Sequence, residues 1–198
     1  MGLITGGVRF IIPVFVQTVL GFTAIITGYL LVAMVLPMFI ITFTTGRVSE
    51  RFQPRYIIST GFLIALLGSV YLINVFGLHT SFEQIAFGLA LIRLGGGIIL
   101  THLSNLAFSK VSRDKQPDAS AIWNTNSNLN SSMGTAILGI ILLMGTFNAM
   151  LLEKLVGGII NDFYVIAILL VLGIITSQFI LPNKKISNHI KNRVPEME

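Results

Sequence analysis

GRVSERFQPR, residues 46–55, places three arginines and one glutamate between two stretches that are almost wholly apolar. Apolar runs on both sides belong in hydrocarbon and the charges between them do not, so the decapeptide reads as the water-facing turn of a membrane hairpin. The rest of the chain takes its sidedness from this turn.

Composition agrees with that reading. Hydrophobic residues make up 54% of the 198 and charged residues only 11%, whereas a soluble domain carries about 25% charged residues. The class implied is an integral membrane protein. There is no cysteine, which removes disulfides, thiolate metal sites and cysteine nucleophiles together. The net charge of +5 is carried by basic residues standing singly or in pairs beside apolar runs. That pattern orients a chain in a bilayer and does not make a nucleic-acid face, so membrane lipid is an expected partner and nucleic acid is not.

An intramembrane enzyme is the rival class, and the residues it needs are missing. The sequence has no His-Glu-x-x-His pair for a metal and no Gly-x-Ser-x-Gly nucleophile turn. His102 and Ser104 are two residues apart and so face different sides of a helix. No catalytic residue, metal site or cofactor is therefore expected. His102 is open to two readings, a proton carrier or a hydrogen-bonded packing residue.

Taken in order, residues 2–45 are apolar and about twice the length one crossing needs, so they fold back once, around Gly21. The first segment lacks a basic leader and a small-residue cleavage site and is not expected to be a signal peptide. A third helix is expected over 56–76. A fourth, over 82–108, is opened by a capping pattern that either Ser81 with Gln84 or Thr80 with Glu83 provides. A fifth is expected over 119–146 with Asp118 as its cap, and a sixth over 158–181. With the first two at 2–20 and 24–45, the spacing predicts an all-α, six-transmembrane-helix bundle over residues 1–183, followed by a polar cytoplasmic tail over 184–198. Gly95-Gly96-Gly97 follows no strand and lies mid-membrane, so it predicts a bend or close helix approach and not a nucleotide loop.

Lys and Arg divide ten to one between the two faces. Arg47, Arg51, Arg55, Lys110, Arg113, Lys115, Lys184, Lys185, Lys191 and Arg193 fall on one side and Lys154 on the other. The rule that positive loops stay inside makes the ten cytoplasmic, and six crossings then put both termini there, in a multi-pass protein of the cell membrane. The last two basic residues, Arg9 and Arg93, fall inside helices.

Four stretches, in order, resemble a known family. IPVFVQTVLGFTAIITGYLLVAMVLP, residues 12–37, is similar to the opening of the carboxy-terminal half of fourteen-helix drug:proton antiporters of the major facilitator superfamily, the EmrB/QacA type, in Pro13, Phe15, Gln17, Val19 and Gly21. GRVSERFQPR resembles the superfamily's Gly-x-x-x-Asp-Arg-x-Gly-Arg-Arg loop, with Glu50 for the aspartate and Gln53 for the second glycine. LIRLGGG, residues 91–97, resembles an Arg-Gly-x-Gly stretch. ASAIWNTNSNLNSSMGTAILG, residues 119–139, resembles an Ala-Ser-x-x-x-Asn…Gly-x-Ala-x-x-Gly stretch, with Ser127 and Asn128 where an Arg-Gln pair is frequent and Asn130 and Ser131 in place of a Gly-Gly.

The resemblance implies multidrug efflux of a small-molecule substrate, and a conformational latch made of Gly46, Glu50, Arg51 and Arg55 that breaks and reforms as two halves rock. Plain anchoring of the turn is the other reading of those residues. The polar first half of the fifth helix, deepest at Asn128, Ser131 and Ser132, implies a wet translocation path or interhelical hydrogen bonding alone. Gln17 is assigned to the same path, and Arg93 reads either as facing it, paired with a carboxylate of the missing half or with an anionic or polar substrate, or as a packing arginine satisfied by helix carbonyls and the asparagines of the fifth helix. Arg93 lies about 16 Å from Phe82, near the bilayer midplane, where an arginine costs at least ~2.5 kcal/mol. Arg9 is closer to a surface and is expected to snorkel.

All eight acids are expected in loops, helix ends or the tail, which leaves no embedded carboxylate for a proton. The chain thus reads as the carboxy-terminal half of such an antiporter, a fragment or split-gene product inactive without its amino-terminal half, which is the missing partner. The alternative is a free-standing six-helix membrane protein, a scaffold or a dimeric half-transporter.

Overall fold

The computed structural model describes residues 1–51, 53–109, 111–146 and 152–180. It is all-helical: α1 (Gly2–Thr18), α2 (Ala24–Arg51), α3 (Pro54–Val75), α4 (Phe82–Phe108), α5 (Gln116–Thr146) and α6 (Leu152–Ile180), with one 3-10 turn (Arg113–Lys115) before α5. Stretches within α3, α4, α5 and α6 are long and apolar enough to cross a membrane, and α1 and the first part of α2 (Ala24–Phe39) are shorter apolar helices.

Local chemistry explains the boundaries. Gly21 takes φ +67°, a left-handed conformation that costs glycine nothing and lets the chain reverse between α1 and α2. Ser81 and Gln84 form the reciprocal capping box at the start of α4. Thr80 is used differently: its buried hydroxyl bonds to the carbonyls of Val75 and Gly77 and closes the α3–α4 turn.

Three expectations are corrected. The charged stretch 46–55 is mostly helix, since α2 runs on to Arg51 and only residues 52–53 separate it from Pro54 at the start of α3. Nothing in RVSER breaks a helix, one glycine costs only about 1 kcal/mol, and Pro54 supplies the break. Glu50 consequently lies in the last turn of α2. Asp118 lies in the first turn of α5, inside the helix and not at its cap. Most consequentially, α6 begins at Leu152 and passes through Gly157-Gly158, which places Asp162 about 15 Å into the helix.

The helices pack chiefly as α3 against α4, α1 against α5, α2 against α4, α3 against α6 and α5 against α6. Each presents one apolar stripe inward at helical spacing, such as Ile4, Val8, Ile11 and Phe15 on α1 and Ile159, Phe163, Ile166 and Leu170 on α6. Phe76, after α3, joins the two stripes, its ring 4.7 Å from Phe15 and 5.0 Å from Phe163. Opposite stripes, such as Leu63, Leu67 and Val70 on α3, are apolar and exposed, as a bilayer requires of an outer face.

Small residues set the closest crossings. A Cβ on Gly6 would fall 1.9 Å from the Ser131 carbonyl oxygen, and one on Gly134 would fall 1.9 Å from that of Leu3, so α1 and α5 touch backbone to backbone. The three glycines of α4 divide their work. Gly95 admits the backbone of α3 at Gly61 and Ala65, Gly97 faces Met38 and Ile41 of α2, and Gly96 faces open space in front of α1.

Candidate functional site

That open space is a cavity of about 200 Å³ between α1, α2, α4 and α5. Thr5 and Arg9 come from α1, Met38 from α2, Arg93 and Gly96 from α4, and Ser127, Asn128 and Ser131 from α5. The spacing explains who arrives there. Thr5 and Arg9 are one turn apart, as are Ser127 and Ser131, so each pair projects from a single helix face. The backbone contact at Gly6 and Gly134 holds the two faces together, and the missing side chain of Gly96 leaves the volume unfilled.

Three of the residues assigned to a path from the sequence, Arg93, Asn128 and Ser131, line this one space. Gln17 and Ser132 do not: both are exposed, and Gln17 sits in the last turn of α1, away from the cavity. Thr5 carried no signal in the sequence, and Gly96 only that of a glycine triplet suited to a bend or close approach; the placement of both depends on how α1 crosses α4 and α5. Arg9, expected to snorkel to the surface, is exposed and at the same time lines the cavity that Arg93 lines.

The polar groups of the cavity are uncommitted. Among the described residues, the guanidiniums of Arg9 and Arg93, the hydroxyls of Thr5 and Ser131 and the Asn128 amide make no side-chain hydrogen bond or ion pair. Asn130, which points elsewhere, bonds to Asn126 of its own helix. No Asp or Glu lines the cavity.

The remaining functional candidates lie apart. Gly46, Glu50 and Arg51 occupy the final turns of α2. Arg55, in the first turn of α3, donates through Nε to Gln178 Oε1 on α6 at 2.5 Å, and Gln178 Nε2 donates to Ser59 Oγ at 2.7 Å. Its nearest commitment is thus a clamp within the bundle. His102 is buried, with Nδ1 2.8 Å from the Ile98 carbonyl of its own helix. That geometry fits the packing reading. Asp162 has no exposed surface, and neither carboxylate oxygen has a hydrogen-bond partner among the described residues.

Residues 1–196 match the Major Facilitator Superfamily. The chain belongs to that superfamily of transporters. It is therefore a multi-pass membrane protein of a transporter class and not an enzyme. Over 128 residues, 65% of this chain and 24% of the relative, it is 29% identical to the multidrug resistance protein Stp of Mycobacterium tuberculosis. Over 180 residues, 86% of this chain and 38% of the relative, it is 23% identical to the lincomycin resistance protein LmrB of Listeria innocua. The uncharacterized MFS-type transporter YcnB of Bacillus subtilis is 28% identical over 132 residues, 67% of this chain and 28% of the relative. The match thus spans roughly a quarter to two fifths of the length of each of these relatives. Transporters of this superfamily bind small-molecule substrates within the membrane.

Proposed function

We propose that this superfamily chain is the carboxy-terminal half of a proton-coupled multidrug efflux transporter, working only with an amino-terminal half. The observation that carries the reading is the convergence of Arg93, Asn128 and Ser131 with Thr5 and Arg9 on one cavity. Superfamily transporters place their substrate near the midplane between repeats and alternate access by rocking one half on the other. Distant similarity to proteins named for multidrug and lincomycin resistance supports efflux as the direction. The buried Asp162 supplies what the sequence was expected to lack, an embedded carboxylate able to take up and release a proton.

In this reading both chain ends and the charged stretches 46–55 and 110–118 are cytoplasmic, and Gly46, Glu50, Arg51 and Arg55 form the latch. Gln17 and Ser132 belong to the path at its margins, where the amino-terminal half would complete it.

Two tests follow from the reading. Reporter fusions after Leu78 and after Ser112 should report opposite faces of the membrane, the second cytoplasmic; a cytoplasmic signal from Leu78 would invert the topology. Expressed alone, the chain should give no resistance and, in proteoliposomes, no substrate flux above empty vesicles. Co-expressed with the amino-terminal half of an LmrB-type transporter, it should give efflux that a protonophore stops. Flux by the chain alone would instead favour a dimeric half-transporter.

A further inference from the structure

Two guanidiniums share the cavity with no acid on its walls. Arg93 comes from the middle of α4 and Arg9 from the middle of α1, so the two charges approach from different helices. Arg93 is half-buried and Arg9 exposed, and two like charges that face one space repel unless a counter-charge joins them. The described residues supply none: the one fully buried carboxylate, Asp162, is not among the cavity's lining residues. Around the pair stand a hydroxyl on α1, Thr5, and an amide and a hydroxyl on α5, Asn128 and Ser131, all without internal partners. Guanidinium forks flanked by neutral hydrogen-bonding groups form a receptor for a planar oxyanion, because a carboxylate or phosphate accepts from both forks at once and leaves lone pairs for the hydroxyls.

We propose that the Arg9–Arg93 cavity binds the anionic group, carboxylate or phosphate, of a small-molecule substrate. The inference rests on the translocation-path reading of the same cavity and narrows it: the substrate carries a negative group, even if the rest of it is apolar. The volume of about 200 Å³ holds that group and a few attached atoms, and the remainder of the molecule extends past the exposed face of Asn128 toward the second half. A lipid headgroup offers the same phosphate chemistry, and the two sources are separated by experiment.

The test is binding to the full chain in phosphatidylcholine nanodiscs, with benzoate as the probe, benzamide as its uncharged counterpart and benzyltrimethylammonium as its cationic one. Benzoate should bind saturably and benzamide should not. Each charged hydrogen bond is worth enough that Arg93→Gln or Arg9→Gln weakens benzoate binding about 10- to 100-fold, while Lys154→Gln, outside the cavity, leaves it unchanged. Gly96→Leu fills the space and should abolish binding, and it is well placed to fold, since a Cβ there meets only the Met1 methyl at 3.5 Å. Benzoate binding unaffected by both arginine variants overturns the proposal. So does the absence of benzoate binding, and so does competition by phosphatidylglycerol in the nanodisc that removes the benzoate site, which would give the arginines to lipid. Cation binding that Gly96→Leu abolishes would leave the path reading standing and sink the anion assignment. If no probe responds to Gly96→Leu, both fall together.

Discussion

Gly134→Ala is expected to lower the thermal midpoint of the detergent-solubilised chain sharply, and Gly6→Ala to do the same. At each position the added methyl lands 1.9 Å from a main-chain oxygen on the facing helix, and a backbone cannot rotate away as a side chain can. The helices must separate by about 1 Å, against the close packing that interiors keep. Overpacking of this kind costs about 1 to 3 kcal/mol or more, against a helix-propensity gain of at most about 1 kcal/mol for replacing glycine. Gly157→Ala is the control: it lies exposed on α6 with nothing within 4 Å of its Cβ, so only the propensity gain remains and its midpoint should hold or rise. Trp123, the single tryptophan, gives a fluorescence readout of unfolding. The same separation draws Arg9 and Thr5 away from Ser131, so ligand binding in the cavity should weaken along with stability. Equal midpoints for Gly134→Ala and Gly157→Ala would mean that α1 and α5 do not meet as described.

What could be read from the sequence was what short stretches decide. Alternating apolar runs and charges are enough for an all-helical membrane bundle of six helices. The reversal at Gly21 and the capping box at Ser81 and Gln84 depend on residues within a few positions of one another. Three of the cavity's residues could be singled out because arginine, asparagine and serine are costly in hydrocarbon wherever they fall. Their convergence could not be read, since it depends on a crossing between residues 2–9 and 127–138 that only the paired glycines permit. Arg9 is exposed, as its depth along α1 allows, and only the position of α4 makes it a lining residue of the cavity as well. Local reasoning failed most at the start of α6. Glu153, Lys154 and the Gly157-Gly158 pair look like a loop, and a helix beginning at Gly158 would leave Asp162 near its end. The helix instead starts at Leu152, and burial of Val156, Gly158 and Ile159 against the bundle offsets the two glycines. An acid assigned to a surface is thereby carried into the core.

Asp162→Asn is expected to separate stability from transport. A carboxylate with no exposed surface and no hydrogen-bond partner among the described residues costs about 1 to 3 kcal/mol of desolvation on mutational scales, and more when ionised. Ile159 and Ile166, one turn to either side of it on α6, are fully buried and apolar, and the Ser69 hydroxyl of α3 is already spent on the Phe163 carbonyl at 3.1 Å. Asp162→Leu, which keeps the branching of the side chain and removes its polar atoms, should raise the thermal midpoint of the chain, and Asp162→Asn, close to aspartate in volume, should leave it near that of the unsubstituted chain. In the assembled transporter the outcome reverses. In the coupling role proposed above Asp162 takes up and releases the proton, which an amide cannot do, so Asp162→Asn should lose efflux driven by a pH gradient. Substrate exchange across vesicles with no gradient should persist, because the arginine cavity is intact. Gradient-driven efflux at the unsubstituted rate in Asp162→Asn would remove the acid from the coupling mechanism. A lowered midpoint in Asp162→Leu would show that the carboxylate holds the bundle together through a partner, which would make it a structural residue and leave the proton to another group.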